Sequence, residues 1–122
     1  MLWDASSKLM DVVTMIRDGG ISVAVLADTH HTEDMDETVI RLLDEEFGLC
    51  AYATAGGKNA ETVSRGVMLV WDPKEVELDG KDACEVVMEE RIVRARLKFL
   101  RDGRRISWFG AYMPCRGGSA EE

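Results

Sequence analysis

The densest group of chemically active side chains in this sequence is a basic run. Residues 91–105 carry seven basic side chains and one acidic one, a local net charge of +6 in a chain whose net charge is −8. Such a surface can bind a polyanion, for example the backbone of a nucleic acid. The candidate phosphate contacts are Arg91, Arg94 and Arg96. The pattern itself favours a simpler interpretation, which is the solvated face of a pair of strands.

The cysteines do not form a recognisable metal or disulfide pattern. Cys50, Cys84 and Cys115 are odd in number and far apart, so they fit neither a CxxC metal site nor a disulfide scaffold. We interpret them as reduced thiols of an intracellular protein, with nucleus and cytoplasm both open. Their individual roles stay open.

Length and composition indicate one globular domain spanning residues 1–122. The chain is 46% hydrophobic, which is ordinary for a folded protein, and its length suits a single domain. No apolar run approaches the roughly 18 residues of a membrane span, so we expect no membrane partner. The excess of acidic residues argues against a protein that coats nucleic acid generally.

The first half of the chain alternates helices and strands. Ser6 or Ser7 can cap a helix that runs to about Arg17. Residues 21–27 (ISVAVLA) are apolar on both faces, which predicts a central strand with a layer on each side. A second helix is predicted over residues 36–47, followed by a short strand over 49–54.

The second half predicts an antiparallel meander. Residues 66–71 (GVMLVW) are a buried strand, and residues 85–99 are one long strand whose end alternates strictly between apolar and basic side chains. Asp102-Gly103 predicts a hairpin turn into a strand over residues 105–113. The chain is therefore of the α/β class, with helices packed on mostly antiparallel sheets.

Two further residues lie at the ends of predicted strands. Asp28 comes directly after the strand over residues 21–27, where a carboxylate most simply starts a turn or caps the next helix. Tyr112 lies near the end of the last strand, where a tyrosine is most often a half-buried packing residue with its hydroxyl in water.

The order of these segments resembles the endonuclease/exonuclease/phosphatase superfamily, and most closely the apurinic-type endonuclease domain of non-LTR retrotransposons. The residues that carry the resemblance are the runs ADTH at 27–30, GVMLVWDP at 66–73 and GAYMP at 110–114. It implies a partial four-layer α/β sandwich that hydrolyses nucleic acid with Mg²⁺ or Mn²⁺. It also implies that Asp28 binds the metal and that Tyr112 is a catalytic residue near the scissile phosphate.

Several of the family's features differ here or are missing. Asp28 stands where the family usually has Glu, and Cys115 stands where it has Asn. The Trp-Asn-x-Asn-Gly-like run is reduced to residues 2–7, and neither a Gly-Asp-Phe-Asn-like run nor a terminal Asp-His pair is present. We therefore expect a truncated or degenerate copy, inactive by itself, which self-associates through the exposed strand edge at residues 107–113.

Two alternatives remain open. Asp28-Thr29-His30 also resembles the Asp-x-His opening of calcineurin-like metallophosphoesterases, although that family needs more histidines than His30 and His31. The other alternative is a non-catalytic module that binds nucleic acid through the basic hairpin at residues 91–105. Such binding would weaken with salt and would not depend on a metal.

Overall fold

In the described part of the chain, two helices pack on one of two antiparallel sheets, which confirms the predicted α/β class. The computed structural model describes residues 6–27, 29, 33–54, 66–89 and 91–111. The elements in chain order are α1 (Ser6–Gly19), β1 (Val23–Ala27), α2 (Glu33–Leu42), a π-helical turn (Leu43–Phe47), β2 (Cys50–Thr54), β3 (Val67–Trp71), β4 (Val76–Leu78), β5 (Cys84–Met88), β6 (Ile92–Phe99) and β7 (Arg105–Ala111).

The first sheet has the strand order β1-β3-β2, with both pairs antiparallel. All five residues of β3 are buried because the strand is covered on both faces. Met68 and Val70 pack against the helices, while Leu69 and Trp71 pack against the second sheet. The prediction that residues 21–27 form the central strand is wrong for the described strands: β1 lies at an edge, and its Val25 is 44% exposed.

The helices cover one face of the first sheet through the apolar side chains that their sequence periodicity predicts. Leu9, Val13 and Ile16 of α1 are buried with Val39 of α2. The second helix begins three residues earlier than predicted and finishes in the π-helical turn. Gly48 ends that turn in the left-handed conformation (φ 67°) and donates its N–H to carbonyls of the turn.

The second sheet is built around β6, which pairs with β7 on one side and with β4 and β5 on the other. Val93, Ala95 and Leu97 point inward and are fully buried, which confirms the predicted alternation. The prediction of a single strand over residues 85–99 is wrong. A bulge and a turn separate β5 from β6, and the turn is closed by the Arg91 N–H donating to the Met88 carbonyl at 3.0 Å.

The hairpin between β6 and β7 has the predicted Asp-Gly turn. Gly103 has a φ of 78°, and the Asp102 carboxylate accepts hydrogen bonds from the Arg104 backbone N–H at 3.0 Å and from its Nε at 3.1 Å. The backbone N–H of Arg104 is the main reason that the pKa of Asp102 lies below its usual value. Neither described helix has the length and the apolar composition of a membrane span.

Candidate functional site

The strand termini gather at one end of the sandwich, which we call the strand-end site. In the first sheet, Ala27 and Thr54 both pair with Val67, so β1 and β2 end where β3 begins. In the second sheet, Met88 and Ala111 both pair with Ile92, so β5 and β7 end where β6 begins. The antiparallel pairing thus brings the carboxyl ends of four strands to two small clusters.

Gly110 brings these two clusters together. A Cβ atom at this position would lie 2.8 Å from Val67 Cγ1, 3.3 Å from Val25 Cγ1 and 3.4 Å from Leu69 Cδ2. The missing side chain therefore lets the end of β7 lie directly on β1 and β3. A glycine inside a strand pattern is a known signal of such a close approach, and it was the one clue to this contact in the sequence.

The described residues at the strand-end site include two threonines and one arginine. The Thr29 N–H donates to the Gly66 carbonyl at 3.1 Å, which continues the β1–β3 pairing past Ala27. Thr54 is buried at the end of β2. Arg91 lies in the turn before β6, is half-buried, and has no ion-pair partner among residues 6–27, 29, 33–54, 66–89 and 91–111.

The two residues to which the resemblance gives catalytic and metal-binding roles lie outside the described residues. Asp28 follows Ala27, the last residue of β1, and Tyr112 follows Ala111, the last residue of β7. The same holds for His30, His31 and Cys115, so the roles predicted from all these residues stay predictions. What the described part provides is the position of the two strand ends to which Asp28 and Tyr112 are attached.

Arg94 and Arg96 lie on the outer surface of the second sheet rather than among the strand ends. The Arg94 guanidinium pairs with the Glu85 carboxylate at 2.5 Å, and Arg96 Nη2 donates to the Asp82 carbonyl at 3.5 Å. The Nε atoms of both arginines are buried without a partner in the described part of the chain. Arg94 and Arg96 therefore lie on the outer face within β6, whereas Arg91 directly precedes β6 at the strand-end site.

Part of the basic run is neutralised by acidic side chains of neighbouring segments. Besides the Arg94 pair, Lys98 Nζ lies 3.8 Å from Glu77 Oε2, and Arg105 Nε lies 3.3 Å from Asp79 Oδ1. These are exposed pairs, which contribute about 0–1 kcal/mol each to stability. They give the surface the character of a solvated face of paired strands, which is the interpretation that the sequence pattern favoured.

The described cysteines are not activated nucleophiles. Cys50 and Cys84 are free, half-buried thiols between the two sheets. Burial raises the pKa of both, with added contributions from Asp44 and Asp72 for Cys50, and from Cys50 for Cys84. Thiols with a raised pKa remain protonated at neutral pH, whereas thiol catalysis needs the thiolate.

The described residues do not by themselves form a metal site, since they contain no group of three or more His, Cys, Asp or Glu side chains that could hold an ion. The divalent ion that the resemblance implies therefore depends on Asp28, and we derive no catalytic step through it. In comparisons with known proteins, no family model matches the chain and no curated protein matches it.

Proposed function

We propose that this chain engages a phosphodiester of a nucleic acid at the strand-end site, as part of a metal-dependent nuclease domain of the endonuclease/exonuclease/phosphatase type. The supporting observation is the packing of Gly110 on Val25 and Val67. Because of this contact, the strands that precede the ADTH and YMP runs end beside each other, although these runs are more than eighty residues apart in the sequence.

The chemistry of the site residues suits a phosphate group. Asp28 offers a hard carboxylate oxygen, and Mg²⁺ in proteins is commonly held by one or two carboxylates together with the phosphates of the substrate. When bound, such an ion neutralises charge on the phosphoryl oxygens. Arg91 supplies a permanent positive charge at the same end of the sandwich, and a tyrosine hydroxyl such as that of Tyr112 is a hydrogen-bond donor suited to a phosphate oxygen.

Engagement is expected without hydrolysis. The 122 residues contain no Gly-Asp-Phe-Asn-like run and no terminal Asp-His pair, which in the resembling family complete the catalytic group. Residues that act as a catalytic unit lose nearly all activity when one member is removed. The chain by itself is therefore expected to bind nucleic acid in a metal-assisted manner and to leave a plasmid intact.

The test is a titration of a fluorescent DNA duplex with the whole chain, in Mg²⁺ and in EDTA at matched ionic strength. The proposal predicts that Mg²⁺ tightens binding by a factor of about 5 or more, which corresponds to about 1 kcal/mol. Asp28→Asn should lose this gain. Asp34→Asn removes the same charge from an exposed position of α2 and should keep it.

The other outcomes separate the alternatives. Binding that falls with salt but ignores Mg²⁺ would overturn the proposal and favour a non-catalytic binding module. Release of phosphate from a simple monoester with Mn²⁺, lost in Asp28→Asn, would favour a calcineurin-like phosphoesterase instead. Plasmid nicking by the wild-type chain that Asp28→Asn abolishes would support the site and contradict the expected inactivity.

A further inference from the structure

The two outer surfaces of the sandwich differ in charge. The helix surface, formed by the solvent-facing side of α1, α2 and the π-helical turn, is strongly acidic. Its described basic side chains are Arg17 and Arg41. Its exposed acidic side chains are Asp11, Asp18, Glu33, Asp34, Glu37, Asp44, Glu45 and Glu46. Met10 and Met15 are also exposed on α1, each 46% accessible, so the surface combines negative charge with apolar side chains.

The sheet surface, which is the outer face of the second sheet, carries mainly basic side chains, most of them in ion pairs. Arg94, Arg96 and Lys98 of β6 share this face with Phe109 and Arg105 of β7, because register partners point to the same side. Phe109 lies directly across from Arg94 and is 57% exposed, the most exposed of the large apolar side chains in the described part of the chain.

Apolar character continues toward one end of the sheet surface. Met88 is 51% exposed and pairs with Ile92, one step from the row that holds Phe109. Exposed apolar side chains that lie close together on one face are typical of surfaces that partners cover. Nothing among the described residues packs over Phe109 enough to bury it.

The charges argue that this partner is not a polyanion. Acidic side chains already pair with Arg94, Lys98 and Arg105. Among the described cations on the outer face of β6 and β7, this leaves Arg96 as the one without an ion pair. Affinity for nucleic acid depends on neutralising several phosphates at once. A surface with one unneutralised cation and an exposed aromatic ring is better matched by an acidic surface that also carries apolar groups.

The helix surface of the same molecule has this composition, and we propose that the sheet surface of one copy docks on the helix surface of another. Arg96 then faces the acidic side chains of α2, and Phe109 contacts the exposed methionines of α1. The two surfaces lie on opposite sides of the sandwich, so the contact is heterologous and extends head to tail. This inference does not rest on the proposed function.

The area of the sheet surface sets the strength of the contact. The surface is three strands wide, with β6 between β7 on one side and β4 and β5 on the other, and about eight residues long. With strands about 4.8 Å apart and residues about 3.3 Å apart, it covers about 15 by 25 Å. That is about half of the roughly 800 Å² per partner in a standard stable interface. We therefore expect weak, reversible association that needs concentrated protein and decreases with salt.

Two variants test the arrangement, each altering one surface. The sheet-surface variant is Arg96→Ser with Phe109→Ser, and the helix-surface variant is Asp34→Lys with Glu37→Lys. Phe109, Asp34 and Glu37 are exposed and Arg96 is half-buried, so the fold should tolerate these changes, which thermal melting verifies. The control is Lys74→Ser with Glu75→Lys, at two exposed positions in the turn before β4.

Sedimentation equilibrium gives the result. In low salt, the average mass of the wild-type chain and of the control should rise above 13.6 kDa with concentration, and 0.5 M salt should reverse the rise. Each surface variant alone should remain a monomer. An equimolar mixture of the two should form a 1:1 complex of twice the monomer mass, because one complementary pair of surfaces remains.

Other results overturn the inference. A wild-type chain that stays monomeric at every concentration contradicts it directly, and so does a mixture that stays at the monomer mass. Association of the helix-surface variant alone would show that copies meet through a strand edge instead. Loss of affinity for a single-stranded oligonucleotide in the sheet-surface variant would show that the sheet surface serves a polyanion.

Discussion

Replacing Gly110 by alanine tests the contact that joins the two sheets at the strand-end site. The added Cβ would lie 2.8 Å from Val67 Cγ1, closer than carbon atoms approach in folded proteins. Val67 is completely buried, and its branched side chain has little freedom to rotate away. Overpacking of this kind typically costs 1–3 kcal/mol, so we expect the free energy of unfolding to fall by about 2 kcal/mol.

A double variant distinguishes this clash from other effects. Val67→Ala removes the Cγ1 atom that the new Cβ would meet, so the double variant Val67→Ala/Gly110→Ala should be more stable than the sum of the two single changes predicts. A favourable coupling of about 0.5–3 kcal/mol is expected for such a pair. Urea denaturation measures all four proteins. A Gly110→Ala variant as stable as wild type, or strictly additive changes, would refute the packing of β7 on β1 and β3.

Two further predictions concern groups between the sheets. The Trp108 indole N–H is buried without a partner in the described part of the chain, which typically costs 1–3 kcal/mol, so Trp108→Phe should change the free energy of unfolding by less than about 1 kcal/mol. Trp71 is also buried, but its indole is not among the described buried groups without a partner, so Trp71→Phe should lower the free energy of unfolding by more. Equal losses for the two variants in urea denaturation would contradict this reasoning. Because burial raises the pKa of Cys50 and Cys84, iodoacetamide should label both slowly at pH 9 in the folded chain and quickly in urea, as read by peptide mapping. The unfolded chain releases these protons first, so stability should fall as the pH rises above the usual thiol value of 9.0; fast labelling of the folded chain would contradict the assignment.

Features that depend on local sequence periodicity could be predicted. The alternation of Val93, Ala95 and Leu97 with basic residues indicated which face of β6 is buried, because successive side chains of a strand point to opposite faces. The apolar spacing of α1 likewise identified its buried stripe. Asp102-Gly103 predicted the hairpin turn because glycine readily adopts positive φ.

Features that depend on contacts between distant segments could not be predicted. β3 is the central strand of the first sheet and is buried on both faces. Residues 21–27 are equally apolar in sequence, so the sequence pattern alone does not show which of the two strands is central. The neutralisation of Arg94 by Glu85 depends on the register between β5 and β6, which the bulge near Met88 alters. Short-range patterns contain no information about such pairings.

The candidate site was predictable only in part, for the same reason. The strand order predicted Asp28 and Tyr112 as site residues. Periodicity could not show that β1 and β7 end side by side. That follows from Gly110, whose lack of a side chain matters only against Val25 and Val67. The sequence also grouped Arg91 with Arg94 and Arg96, and the strand geometry separates them.

The most direct test of the strand-end site is paramagnetic broadening by Mn²⁺ in amide NMR spectra of the whole chain with a short DNA duplex. A bound Mn²⁺ broadens nearby amides first. We predict that substoichiometric Mn²⁺ broadens Thr29, Gly66 and Ala111 before Trp71 and Phe99 at the opposite end of the sandwich, and that Asp28→Asn removes this selectivity. Broadening confined to the acidic helix surface, or unchanged in Asp28→Asn, would contradict the proposed site.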